Sequence, residues 1–228
     1  MKIGNIDFDA VIFDLDGTLY CNKGFKIRLI TKSIKKIRII YYMNKIRKKM
    51  MGRDFNSEKM FFNEFFSRIA DKTGSSIKNI EYWYENIFYP MFIKLLETKY
   101  KGRENINELL KVLKKNNIKL VILSDYGHVE ERLDALCIDK SFFDIIASNE
   151  EYGVLKPSKR PLVDIAEKLN IKVNKVLVVG DRDDTDGESA RQAEMNYIEI
   201  CANGKKSNEN PGVFFWKEFY NCIISNRS

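Results

Sequence analysis

Two carboxylates, Asp14 and Asp16, follow directly on the apolar run Ala10-Val11-Ile12-Phe13 and stand before Gly17-Thr18-Leu19. A short apolar run that breaks into polar and glycine residues predicts a buried strand entering a tight turn. In open α/β sheets ligands bind beyond the carboxyl ends of the strands, so this turn aims two acids at a site. Carboxylates that close repel each other unless a cation or a shared proton offsets the charge. An acidic turn that merely caps a strand would carry the same residues, and what separates the two readings lies downstream. Ser124 ends Leu120-Val121-Ile122-Leu123, Lys156 stands in Gly153-Val154-Leu155-Lys156-Pro157, and Gly180-Asp181 follow Val176-Leu177-Val178-Val179, with Asp183, Asp184 and Asp186 close behind. Two further strand ends thus supply a hydroxyl and a carboxylate, and the loop between them supplies an ammonium.

In this order the groups resemble the four motifs of the haloacid dehalogenase superfamily, over roughly residues 8–22 and 100–202. The resemblance implies a Mg²⁺-dependent phosphomonoester hydrolase acting on a small phosphorylated metabolite. Asp14 would be the nucleophile, forming an aspartyl-phosphate, and Asp16 the general acid and then the general base. A carbon–halogen bond yields halide, which needs no proton, and the dehalogenase branch lacks an aspartate where Asp16 stands, so Asp16 favours phosphoryl transfer. Mg²⁺ would sit among Asp14, Asp181, Asp186 and the backbone carbonyl of Asp16, because it takes a few hard oxygens and keeps waters. Asp183 and Asp184 leave the register of that last acidic position open. Ser124 and the amide of Asp125 would hold phosphoryl oxygens, with Lys156 offsetting negative charge and Thr18 bonding near Asp14. The acid at Asp125 is a departure for which the sequence offers no reason.

The elements that must position these groups show in the spacing. Asp9–Phe13, Ile118–Leu123, Asp144–Ala147, Val176–Val179 and Tyr197–Cys201 read as strands, with helical patterns at Val129–Leu136, Arg160–Leu169 and Gly187–Met195. This rhythm predicts an α/β fold, a Rossmann-like parallel sheet core with helices on both faces. About a hundred residues without strand signals separate the first two strands, so a helical insertion must fill the gap. Ile27, Ile30, Ile34, Ile37 and Tyr41 suggest one apolar stripe, Phe61, Phe62, Phe65, Phe66 and Ile69 a second opened by Asn56-Ser57-Glu58, and Ile77, Ile80, Tyr84 and Ile87 a third interrupted at Pro90. Ile106, Leu109, Leu110 and Leu113 lead back to the sheet. The stretch from Gly204 to Pro211 reads as a loop, and Phe214 to Ile223 as a terminal amphipathic helix. By resemblance the insertion is an α-helical type-one cap, residues 23–98, on a core of residues 1–22 and 99–228, hinged near Tyr20–Gly24 and Thr98–Arg103.

Composition narrows the classes. With 228 residues, 44% of them hydrophobic, the chain can bury one substantial core and a smaller appended domain. No stretch reaches the ~20 apolar residues of a membrane span. Cys21, Cys137, Cys201 and Cys222 are scattered without a Cys-x-x-Cys pair, which fits a reduced, cytoplasmic protein. His128 is the sole histidine, which disfavours a Ser-His-Asp hydrolase or a histidine metal centre. The net charge of +7 is concentrated: no acid lies between Gly17 and Arg53, while Lys23, Lys26, Arg28, Lys45, Arg47, Lys48 and Lys49 are all basic. A solvated helix face is the plain reading. An anionic membrane surface or nucleic acid bound by residues 23–53 is the rival, nucleic acid being the less favoured. A phosphomutase of the β-phosphoglucomutase type is the rival enzyme and would call on Arg28 or Arg53 for a second phosphate.

Overall fold

The structure is a computed structural model and describes residues 1–32, 36–201 and 212–225. A small hairpin, β1 (Lys2–Ile3) with β2 (Ile6–Asp7), leads into a six-stranded sheet. Its strands are β3 (Ala10–Phe13), β4 (Lys119–Ser124), β5 (Ile145–Ser148), β6 (Val176–Gly180), β7 (Asn196–Ile200) and β8 (Val213–Phe214), in spatial order β5-β4-β3-β6-β7-β8. All five pairings are parallel. β3 lies between β4 and β6 with Phe13 opposite both Ile122 and Val179, so three carboxyl ends finish side by side at the point where strand order reverses.

Alternation along these strands sorts the core into two layers. Val11, Phe13, Leu120, Ile122, Leu177 and Val179 face α6 (Ile106–Lys115) and α10 (Trp216–Ser225), with Leu109, Leu113, Phe219 and Ile223 in that layer. Ala10, Ile12, Val121, Leu123, Val176 and Val178 face α8 (Arg160–Lys168) and α9 (Glu188–Gln192) through Leu162, Ile165 and Ala190. Each fully buried large apolar side chain contributes roughly 1.5–3 kcal/mol. The expected parallel sheet covered on both faces is present, with one added edge strand. β8 is too short to show a period, so the sequence gives it no signal apart from the helix that follows.

The helices between β3 and α6 differ from their predicted faces in two places. The first stripe assumes one unbroken helix. The chain instead forms α1 (Phe25–Lys32) and α2 (Ile37–Met50). Ile27, Ile30, Ile37 and Tyr41 are exposed, whereas Ile39, Ile40, Met43, Ile46, Arg47 and Met50 are buried; Ile34 lies outside the described residues, as does the expected loop at 204–211. The second stripe becomes α3 (Glu58–Thr73), capped by the Ser57 hydroxyl accepting from the Met60 amide at 3.3 Å, with Phe61, Phe65, Phe66 and Ile69 buried. The third runs through α4 (Ile77–Trp83), a π-helical turn over Tyr84–Phe88 and α5 (Tyr89–Lys99). Pro90 does not interrupt it, because in the first turn of α5 a missing N–H costs little. The wider π turn shifts the phase, so Phe88 is buried and Ile87 exposed.

Both crossings between the sheet and these helices lie together. Tyr20 bridges to Gly102, the Arg103 amide donates to the Leu19 carbonyl at 2.7 Å, and the Arg103 guanidinium donates to the carbonyls of Gly17 (2.8 Å) and Thr18 (3.1 Å).

Candidate active site

Asp14 is the first residue past β3, and its amide donates to the Val179 carbonyl at 2.9 Å, which fixes the turn against β6. Its carboxylate takes 2.6 Å from the Lys156 ammonium and 3.0 Å from the Thr18 hydroxyl. The same ammonium lies 2.7 Å from Asp186. Carboxylate oxygens of Asp14, Asp181 and Asp186 fall within 4.8 Å of one another. Two glycines make that approach feasible. Gly17 has φ +100°, and a Cβ there would lie 2.0 Å from an Asp181 oxygen; one on Gly180 would lie 2.4 Å from the Asp186 side chain.

The electrostatics follow from that crowding. Burial pushes the Asp14 carboxyl well above the carboxylate range; Lys156 pulls it back, and Asp186, Asp181 and Asp16 add to the rise. Burial and Asp186 push Asp181 up to about 7. Burial opposes the charge of Lys156, but Asp14 and Asp186 outweigh it and hold the ammonium above its ordinary value. Three carboxylates facing one ammonium carry a net negative charge, and a hard divalent cation with oxygen ligands fits this donor set. Of Asp183, Asp184 and Asp186, Asp186 is the one whose carboxylate joins Asp14 and Asp181 in the cluster. Asp183 and Asp184 are exposed and paired with Arg191 and Arg182, both at 2.8 Å.

Asp16 faces a different set. The fully buried Arg132 of α7 (Val129–Ala135) forms an ion pair with it; the Tyr20 hydroxyl donates to it at 2.6 Å and the Ser124 hydroxyl at 3.2 Å. Burial alone would raise the Asp16 carboxyl, but Arg132, Tyr20 and Ser124 more than cancel that and hold it below its ordinary range. Adjacent acids are thus driven apart, Asp14 upward and Asp16 downward.

Of the phosphate-facing residues expected from sequence, Ser124 and Thr18 are buried and turn their hydroxyls onto Asp16 and Asp14. Asp125 acquires a structural account. Its carboxylate accepts from the Lys156 amide at 3.1 Å and from Asn149 at 2.9 Å, tying down the loop that delivers the ammonium. His128 pairs with Glu85 and Glu131 on the surface, away from these groups. Sequence reasoning missed Arg132 and Tyr20. Arg132 had a signal, since it shares the apolar face of Val129, Leu133 and Leu136, and a charge at a core position demands a partner.

Acids at the carboxyl ends of adjacent parallel strands thus gather around one buried lysine. The chain belongs to the haloacid dehalogenase-like hydrolases, whose family model matches residues 8–194. It is similar to a phosphoglycolate phosphatase of Aquifex aeolicus, 26% identical over 190 residues that cover 81% of this chain and 80% of the relative. Its fold is that of a 2-haloacid dehalogenase from Pseudomonas syringae (TM-score 0.67, 16% identity, 96% of this chain and 99% of that one). A protein from Thermotoga maritima assigned as a β-phosphoglucomutase shares it too (TM-score 0.64, 17% identity, 96% and 100%).

Proposed function

We propose that the protein is a phosphomonoesterase of small phosphorylated metabolites working through an aspartyl-phosphate on Asp14. The observation that carries this reading is the second carboxylate, Asp16, two residues from a nucleophile that is paired with Lys156 and clustered with Asp181 and Asp186. The Asp14 oxygen attacks phosphorus, the phosphorus–oxygen ester bond breaks, and the leaving alkoxide takes a proton from the fraction of Asp16 that carries one. Water then attacks the same phosphorus, Asp16 accepts its proton, and phosphate departs with Asp14 restored. Lys156 offsets charge on the nucleophile and on the equatorial oxygens. Asp14, Asp181, Asp186 and the Asp16 carbonyl would hold Mg²⁺, which supplies further charge neutralisation when bound. Residues 23–98 act in this reading as a cap over a core of residues 1–22 and 99–228; the paired crossings at Tyr20–Gly102 support a hinge there. A cytoplasmic setting belongs to the same reading. Phosphate release across a panel of phosphorylated metabolites, phosphoglycolate among them, tests it; a purified protein that frees phosphate from none of them, nor from an aryl phosphate, would be incompatible with the assignment. Of the two arginines weighed for a mutase, Arg28 bonds to the Tyr100 hydroxyl at 2.8 Å and Arg53 stacks on Phe55.

Turnover should vanish with a chelator and return with Mg²⁺, with Ca²⁺ a poor substitute. A folded-state value raised to about 7 means that metal-free Asp181 binds its proton more tightly than in the unfolded chain. That group therefore costs stability progressively as pH climbs from the acid range past 7, and Mg²⁺ must displace the proton. The Mg²⁺-induced rise in Tm should be larger at about pH 8 than at about pH 5.5. Equal rises at both would argue against metal on these carboxylates.

Because Arg132 keeps Asp16 ionised, leaving groups that need a proton should be disfavoured at neutral pH. The rate ratio of alkyl to aryl phosphate should increase toward acid pH. Arg132→Met, by letting burial raise the Asp16 carboxyl, should lift that ratio at neutral pH by about tenfold or more, while Arg132→Lys leaves it near wild type. A ratio unmoved by Arg132→Met would show that Asp16 is not the proton donor.

A further inference from the structure

The basic segment that the catalytic reading leaves unused has an unusual exposed face. Ile27 is 69% exposed and Ile30 37% on α1; Ile37 is 49% and Tyr41 56% on α2. Spacings of three and four put each pair on one side of its helix. Lys23, Lys26, Arg28, Arg38, Lys45, Lys48 and Lys49 are exposed on the same segment, which carries no acid. Among the described residues none of these seven forms an ion pair; the paired base of the segment is Arg47, on the buried face of α2. The Lys45 ammonium lies 5.7 Å from the centre of the Tyr41 ring, so apolar and cationic groups share one patch.

We propose that the outer faces of α1 and α2 dock reversibly on the surface of an anionic lipid bilayer. Scattered exposed apolar residues are ordinary, but these four lie on a segment whose own charges are all positive. A bilayer interface meets both demands: anionic headgroups attract the lysines, whose stems snorkel, and the boundary with the acyl chains takes Ile27, Ile30, Ile37 and Tyr41. A nucleic-acid backbone offers the charge without an apolar layer. A second copy of this face would bring like charges together. The inner face of α2 keeps its contacts, so docking needs no unfolding and does not depend on the proposed chemistry at Asp14.

Sedimentation of the full chain with phosphatidylcholine vesicles containing about one third phosphatidylserine, in about 50 mM salt, tests this. Binding is expected there, at least about tenfold weaker on pure phosphatidylcholine and released by about 500 mM salt. Ile27→Ser with Ile37→Ser should weaken it about tenfold, and Lys45→Gln with Lys48→Gln by a similar factor, circular dichroism and Tm being unchanged. Asp14→Asn should bind as wild type, which separates this surface from the catalytic reading. Absence of binding to the anionic vesicles at low salt would overturn the proposal. So would wild-type binding by the isoleucine variant, a dimer that this variant dissociates, or tighter binding to a single-stranded oligonucleotide than to the vesicles.

Discussion

Asp14→Asn is expected to reduce phosphate release by at least about a thousandfold while leaving the Tm unchanged or raised. The amide matches the carboxylate in size, yet it cannot attack phosphorus or serve as an anionic ligand. The effect on stability has the opposite sign from that of most buried substitutions. Burial, Asp186, Asp181 and Asp16 all penalise a charged carboxylate at Asp14, and the asparagine removes that charge from the crowded acids. Lys156 keeps its contact with Asp186 at 2.7 Å, so no buried ammonium is orphaned. Phosphate release and thermal melting of the same preparation decide it. Activity within a few-fold of wild type would remove Asp14 as nucleophile; a large fall in Tm would mean that the Asp14–Lys156 pair serves the fold.

Those acids were legible because strand ends announce themselves. β3, β4 and β6 are short, β-branched-rich runs closed by polar residues, and parallel pairing brings their carboxyl ends, with Asp14, Ser124 and Asp181, together. What could not be read is where each side chain spends its hydrogen bonds. Ser124 and Thr18 looked open to a phosphate and are turned onto Asp16 and Asp14, a matter of packing depth that spacing does not encode. The stripe of Ile27 to Tyr41 failed for a different reason. Periodicity holds only within one helix, and the stripe was drawn across two, α1 and α2. The buried face of α2 was visible as Ile39, Met43, Ile46 and Met50, had the helix been started at Ile37. Glu150 had no signal at all, since its side-chain partners come from α2, the π-helical turn and α5, more than sixty residues away.

Glu150→Ala should cost about 3–5 kcal/mol in urea unfolding, the range for removing one side of a buried ion pair. The Glu150 carboxylate forms an ion pair with Arg47 and takes the hydroxyls of Tyr84 and Tyr89, each at 2.5 Å, and the Gly127 amide at 2.9 Å. Both ionic side chains are buried, and Arg47 also donates to the Asp125 carbonyl at 2.7 Å and stacks on Tyr126 at 3.9 Å. Without Glu150 the guanidinium keeps its charge in a buried aromatic nest, and two phenols lose their acceptor. Replacing both partners, Arg47→Met with Glu150→Leu, should recover most of the loss, because the penalty comes from the orphaned charge rather than from a net gain of pairing. The pair also ties α2 to the loops that carry Asp125 and, through it, the Lys156 amide. A loss below about 1 kcal/mol for Glu150→Ala would mean that water reaches Arg47 freely. The contact would then hold the helices between β3 and α6 to the sheet only weakly.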